Sequence, residues 1–470
     1  MARRRRPDRA TIAVLAAMGV GLILRVAWVA YAARKPVGLY DPARYLGYAQ
    51  QIAKGKGYVE PFTGQPTAYY PPGYPYFLGA IAWVSRHIGL GDHVPQVAGY
   101  GQAVLGTLTV GAAAVVARRI LNPAAGVVTA VLLAFYPNLI FHSAALLSES
   151  LYNALFIGAL AILCWPTRQP FDGTDTAELV AERRATSGQL RQVRKKDVTA
   201  GLSMRRLLGF AVLLALAILT RPISVAFLPL LGLVWWYQTR SMRTAAVRLA
   251  VVAGVLALLV APWTVRNAIR MDAFIPLSTN TGDNLCIGHH PHASGAFDAF
   301  DPRTAKFCDT GDGVQFGSGS EVRNNTVKTD RALTYLRGHL SGEPYLIWWR
   351  GYYMFEHDHD AVYAVQSYHA PGAGNWRMGQ GAEDLFIHLA DGYYAVVAIL
   401  GTVGLVVLVW RRRPHGLLLV AAALATAAVP LAFFGDPRFK VPVVPLLAIA
   451  AGTLLGLAAR RRDGRVPAPV

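Results

Sequence analysis

Asp41 stands a few residues past the first apolar stretch of the chain, in the run Leu39-Tyr40-Asp41-Pro42-Ala43-Arg44-Tyr45. A carboxylate at a water interface can take the proton from an attacking hydroxyl, a contribution of about 10²- to 10⁴-fold. Asp followed by Pro is also a common helix start, with the carboxylate as N-cap, and the two readings coexist. Glu149, in Ser148-Glu149-Ser150, opens a later apolar run. There the helix dipole favours a carboxylate, and beside Asp41 it would orient an acceptor or a metal. Arg221, Arg266, Arg438 and Lys440 stand at the ends of other apolar runs. They are the residue types that meet a phosphate, and equally those that anchor a helix at headgroups.

Other candidates are weaker. Arg25 is an ionisable residue inside an apolar run, costly there unless it functions or snorkels outward. Glu356-His357-Asp358-His359-Asp360, with His289, His290 and His292, has ligand types suited to a divalent cation, although such alternation more often marks a solvated turn. Cys164 reads as a small apolar filler, and Cys286 and Cys308 read either as a disulfide or as two free thiols.

These residues need a membrane to position them. Of 470 residues, 54% are hydrophobic, in long runs broken by short arginine clusters, which describes an all-α polytopic membrane protein rather than a soluble core. Apolar runs long enough to cross the bilayer lie near 11 to 33, 98 to 117, 124 to 142, 149 to 166, 203 to 220, 222 to 238, 244 to 262, 392 to 410, 415 to 434 and 441 to 459, about ten spans. The first follows Arg3-Arg4-Arg5-Arg6, lacks a cleavage site and is kept as a span. The positive-inside rule then puts both termini in the cytoplasm and makes Tyr74 to Leu90 a helix lying on or dipping into the outer surface. The net charge of +19 falls on the inner segments. Charge that follows loop topology is explained by insertion and anionic lipid heads, so nucleic acid is not expected as a partner.

Three regions follow: a transmembrane module over 1–262, a large outer loop region over 263–390, and C-terminal transmembrane helices over 391–470. Within the first, residues 34–97 form an outer loop, and residues 167–206 form a solvated basic inner loop without apolar periodicity. Ala43 to Ile52 predicts a short interfacial helix stopped at Gly55 and Gly57, and Pro71-Pro72-Gly73-Tyr74-Pro75 predicts a sharp turn. The aromatic crowd there, Tyr69 and Tyr70 included, suits a headgroup level. Residues 331–355 predict another interface-docked helix. Gly19-Val20-Gly21 is a packing feature, not a nucleotide fingerprint.

Taken together, Asp41 with Tyr45 and the helix to Gly55-Lys56-Gly57-Tyr58, "TAYYPPGYP" at 67–75, "LLSESLY" at 146–152, "LTRPISVAFLPLL" at 219–231, the segment 261–288 and "GDPRFKVPVVPLLAIAAG" at 435–452 resemble one family. It comprises the bacterial relatives of protein O-mannosyltransferases and of the lipid A aminoarabinose transferase, polytopic glycosyltransferases of the GT-C fold. The resemblance implies transfer of a sugar from a polyprenyl-phosphate donor to an acceptor outside the cytoplasmic membrane, usually with inversion. It assigns Asp41 as the first-loop acid; from their own places in the sequence, Glu149 is a second catalytic candidate and Tyr45, Arg221, Arg266, Arg438 and Lys440 are candidates for binding the substrates. Many members carry a second acid directly after the first, where this chain has Pro42. The co-substrate would be the polyprenyl-phosphate sugar, and a divalent metal is compatible.

A lipid or solute transporter is the rival class, but transporters place polar groups near the midplane. Here the polar constellation gathers at one interface. A lipid-linked glycan ligase or polymerase would share the outward site.

Overall fold

The computed structural model describes residues 8–36, 41–165, 202–311, 318–367 and 378–462. Leu39, Tyr40 and most of the basic inner loop lie outside these residues. Each predicted apolar run is helical: α1 (Arg9–Ala32), α4 (Val94–Ile120), α5 (Pro123–Ala134) with α6 (Pro137–Phe141), α7 (Glu149–Cys164), α8 (Met204–Thr220), α9 (Phe227–Thr239), α10 (Met242–Met271), α16 (Gln380–Arg411), α17 (Pro414–Ala428) and α18 (Val444–Arg462). Among the described residues, five stretches are long and apolar enough to cross a membrane: α1, Gly91–Ile120, α10, α16 and Pro414–Ala432. Shorter apolar helices, α5 and α7 among them, fill the space between.

The remaining helices are α2 (Asp41–Ala53), α3 (Gly73–His87), α11 (Thr281–Gly288), α12 (Pro302–Cys308), α13 (Ser318–Gly338), α14 (Glu343–Phe355) and α15 (Asp360–Ser367). The α2 helix ends where Gly55 and Gly57 take positive φ of 76° and 81°, a conformation that costs other residues more. With 15 residues, α3 reaches only about 22 Å, short of the ~30 Å hydrocarbon core. It packs against α2, α4 and α8.

Three features depart from expectation. The interfacial helix expected over 331–355 is two helices, because Gly338, Gly342 and Pro344 interrupt the ladder. The α10 helix runs on to Met271, past the expected boundary at 262, and α16 begins at Gln380, before 391. Arg25 does not snorkel: it is buried and donates to the carbonyls of Gly21, Leu133 and Ala134, at 3.0, 3.0 and 3.4 Å. It thereby tops the last turn of α5, whose carbonyls lack helical partners.

The core closes by small-residue contact. On α18, Gly452 and Gly456 lie against α5, and a Cβ at Gly452 would come within 2.2 Å of Thr129 Oγ1. Such spacing lets backbones approach where lipid supplies no hydrophobic drive. Cys286 and Cys308 are disulfide-bonded, joining α11 to α12. Cys164 is buried.

Candidate active site

Four elements distant in sequence meet around Asp41. It opens α2, and its carboxylate turns not to the helix N-terminus but outward, accepting from Tyr70 Oη at 2.5 Å and from Arg438 Nη1 at 2.6 Å. Arg438 also donates from Nε to Glu149 Oε1, at 2.5 Å. Glu149, the first residue of α7, receives a second guanidinium from Arg221 Nη1 at 2.5 Å, and the same nitrogen reaches Ser148 Oγ at 3.1 Å.

Local sequence explains the placement. Arg221 is the residue between α8 and the 3₁₀ turn Pro222–Ala226, where Pro222 prevents the helix from continuing. Arg438 lies in a 3₁₀ turn, Pro437–Lys440, opened by Asp436, whose carboxylate accepts from the Arg438 backbone N–H at 2.8 Å. Just before it, Gly435 packs so closely that a Cβ would come within 2.2 Å of the Arg350 carbonyl oxygen.

Exposure divides the roles. The Asp41 side chain is 34% exposed, whereas that of Glu149 is fully buried at 0%. Two carboxylates and two guanidiniums are close to neutral together, which makes such burial tolerable. One Glu149 oxygen, Oε2, is buried without a hydrogen-bond partner, and Arg221 Nε and Nη2 make no hydrogen bond among the described residues. The cluster therefore holds unspent donors and an unspent acceptor. Burial and the Asp41 charge push the Tyr70 phenol well above its usual range, so it remains a donor. Tyr45 lies beneath: its ring is buried, 4.7 Å from that of Tyr70 and 4.9 Å from that of Tyr74. It is a floor to the cluster.

Arg266 and Lys440 do not join this cluster. Arg266 donates to the carbonyls of Thr67, at 2.7 Å, and of Tyr58, with its guanidinium 5.0 Å from the Trp263 ring centroid. Together with buried Glu321, which accepts from Thr67 Oγ1 at 2.7 Å and Ala68 N at 2.9 Å, it pins the loop that presents Tyr70. Lys440 is buried, donates to the His357 carbonyl and pairs with Asp358 at 3.0 Å. Asn138 bridges Asp358 and Asp360 at 3.0 and 2.7 Å, and His142 meets Asp360 at 3.1 Å. Burial pushes the Asp358 carboxyl up to about 6 against the pull of Lys440. At Asp360 burial is outweighed by His142 and Lys440, which hold it below the usual carboxylate range.

Residues 356–360 and the histidines of 289–292, whose types would suit a cation, make separate contacts. His289 turns to the Leu285 carbonyl at 3.0 Å and His290 to Thr304 at 3.1 Å, away from residues 356–360. At the Asp41 cluster, guanidinium groups occupy Asp41 Oδ2 and Glu149 Oε1, while Glu149 Oε2 has no hydrogen-bond partner. Sequence reasoning missed Tyr70, which was indistinguishable from its aromatic neighbours, and the Asn138–His142–Asp360 network.

The architecture matches solved structures. The Archaeoglobus fulgidus oligosaccharyltransferase in the apo form aligns over 97% of this chain and 52% of its own, with a TM-score of 0.51 and 13% identity. The chain has the GT-C fold. The same Archaeoglobus enzyme tethered with an acceptor peptide containing the NVT sequon aligns over 95% and 50%, with a TM-score of 0.50 and 13% identity. ArnT from Cupriavidus metallidurans in the apo state aligns over 97% and 80%, at a TM-score of 0.40 and 17% identity. At these identities the likeness establishes the fold alone, and the chain spans about half the length of the oligosaccharyltransferase. No protein-family model and no curated protein matches the sequence.

Proposed function

We propose that this GT-C chain transfers a sugar from a polyprenyl-phosphate-linked donor to an acceptor on the outer side of the cytoplasmic membrane. The observation that carries this reading is the bridge of Arg438 between Asp41 and Glu149. It places a part-exposed carboxylate beside cations that a leaving phosphate requires.

The chemistry is a single displacement. An acceptor hydroxyl oxygen bonds to the anomeric carbon, the bond from that carbon to the phosphate oxygen breaks, and the lipid phosphate departs with the electron pair. Asp41 takes the hydroxyl proton. Attack opposite the phosphate inverts the anomeric centre. Arg221 brings its uncommitted nitrogens to the phosphate, whose departure gains from fixed donors in a dry site. A phosphate anion drawn to Arg438 competes with Asp41 for that guanidinium. Donor binding itself would then free the carboxylate to face the acceptor hydroxyl. Glu149, held between both arginines, positions them.

Sidedness is supported by two features: the Cys286–Cys308 disulfide, of a kind that persists in oxidising compartments, and the basic excess over 167–206. Comparative mass spectrometry of envelope glycans and lipids from cells with and without the protein tests the proposal. A glycan present only with the protein, together with polyprenyl phosphate released in proportion by purified enzyme, is expected. An unchanged glycome and no release would overturn it.

A further inference from the structure

Away from the Asp41 cluster, three side chains with metal-ligand chemistry converge. His357 and His359 come from the segment linking α14 to α15, and Asp391 comes from α16. One ligand atom from each lies within 4.8 Å of the others, the only such trio of His, Cys, Asp or Glu among the described residues. The two imidazoles stack with centroids 4.1 Å apart and planes 14° apart. His359 Nδ1 already sits 2.8 Å from Asp391 Oδ2.

Two further observations point to a ligand. His357 Nδ1 is buried and has no hydrogen-bond partner, although an imidazole nitrogen left dry normally finds one. Asp391 is oriented from behind: its other oxygen, Oδ1, accepts the Asp358 backbone N–H at 2.6 Å. A ligating carboxylate held by a backbone donor is a recurrent arrangement around bound metals. Coordination bonds of about 2.0 to 2.2 Å put ligand atoms some 3.0 to 3.5 Å apart, so closure requires the widest pair of the trio to contract by at most roughly 1.3 to 1.8 Å.

We propose that His357, His359 and Asp391 bind one divalent transition-metal ion of the zinc class, stapling the segment after α14 to α16. Two imidazoles with one carboxylate suit zinc over magnesium or calcium, which prefer all-oxygen shells. The staple would reach the 3₁₀ turn of Arg438, because Lys440 in that turn is held by the His357 carbonyl and by Asp358.

The test uses full-length protein in detergent, freed of its affinity tag and stripped with chelator. Zinc is titrated against a chromophoric competitor, and bound metal is counted by mass spectrometry. One equivalent is expected in the wild type, with affinity falling at least about 10²-fold in His359→Gln and Asp391→Asn. His388→Gln, an exposed histidine elsewhere on α16 whose Nδ1 is spent on the Asp384 carbonyl, is the control and should bind as wild type. Cobalt substitution gives a second readout that needs no unfolding argument: visible d–d bands typical of a nitrogen- and oxygen-ligated site in the wild type, absent from both ligand variants. Zinc should also raise the melting temperature of the wild type and not of those variants. Absence of zinc binding by the wild type at tens of micromolar would overturn the proposal, as would binding and cobalt spectra unchanged in both ligand variants.

Discussion

Arg438 and Asp41 lie 397 positions apart and meet at 2.6 Å. That contact closes the chain on itself, since one residue begins α2 and the other precedes α18, the last helix among the described residues. Because Arg438 also holds Glu149 at 2.5 Å, any anion that recruits the guanidinium disturbs both carboxylates together. In the proposed reaction, donor recognition and release of the Asp41 carboxylate would therefore share one side chain.

Arg438→Ala and Arg221→Ala should each raise the KM for the lipid donor at least about tenfold and lower turnover, because charge-assisted contacts in a dry site are the strong ones. Glu149 keeps one guanidinium in either variant, so folding should survive. Arg438→Lys should fall between, lacking the fork that spans two carboxylates. Steady-state kinetics on purified variants check this, and donor KM unchanged in all three would remove the phosphate role.

Arg266→Ala should behave differently. It deprives the Thr67 and Tyr58 carbonyls of a charged donor, a loss of roughly 2 kcal/mol or more of stability. Donor KM should stay near wild type at temperatures where the variant is folded. A large KM effect without a fall in melting temperature would return Arg266 to the substrate site.

Orientation can be read with the native disulfide kept. In a Cys164→Ala background, a cysteine at Gly338, where a Cβ meets nothing within 4 Å, should react with an impermeant thiol reagent on intact cells. One at Gly188 in the basic segment should react only after lysis. The reverse pattern would invert the topology and put Asp41 on the wrong side.

Cys308→Ser opens a disulfide of sequence separation 22, which in the loop-entropy description costs about 3 kcal/mol. Thermal melts of the variant should show that loss in the α11–α12 region by hydrogen exchange. An unchanged melt would mean that the reduced loop retains its structure.

The apolar runs were legible because a span is a property of composition, visible without any partner. Asp41, Glu149, Arg221 and Arg438 were legible as charges at run ends, but their contacts were not. Arg438 and Lys440 are two residues apart in one 3₁₀ turn, yet turn to different carboxylates, since side chains only realign every third residue. Sequence treats them as a pair; the turn separates them. Tyr70 could not be told from Tyr69 because both sit among aromatics before Pro71, and only tertiary folding sends one hydroxyl to Asp41 and the other to Asp283. Asp391 lies 32 residues from His359 in a helix, so no local spacing could join it to the histidines.

Asp41→Asn separates a base from a structural acceptor. The amide oxygen still accepts from Tyr70 or Arg438, and the part-exposed ion pair it replaces contributes little to stability. The melting temperature should therefore move by only a few degrees. An amide cannot take a proton at neutral pH, so single-turnover transfer should fall by about 10² or more. Donor KM should stay level or improve, since Arg438 would no longer be shared with a competing carboxylate. Tyr70→Phe should cost less, because it removes a donor to Asp41 and leaves the base itself. Single-turnover transfer in nanodiscs, measured beside donor affinity and thermal melts, distinguishes these cases. Near-normal transfer by the Asn variant would reduce Asp41 to a ligand of Arg438, and the proton would then have to pass to the unpartnered Glu149 Oε2. In that event Glu149→Gln, and not Asp41→Asn, would abolish transfer.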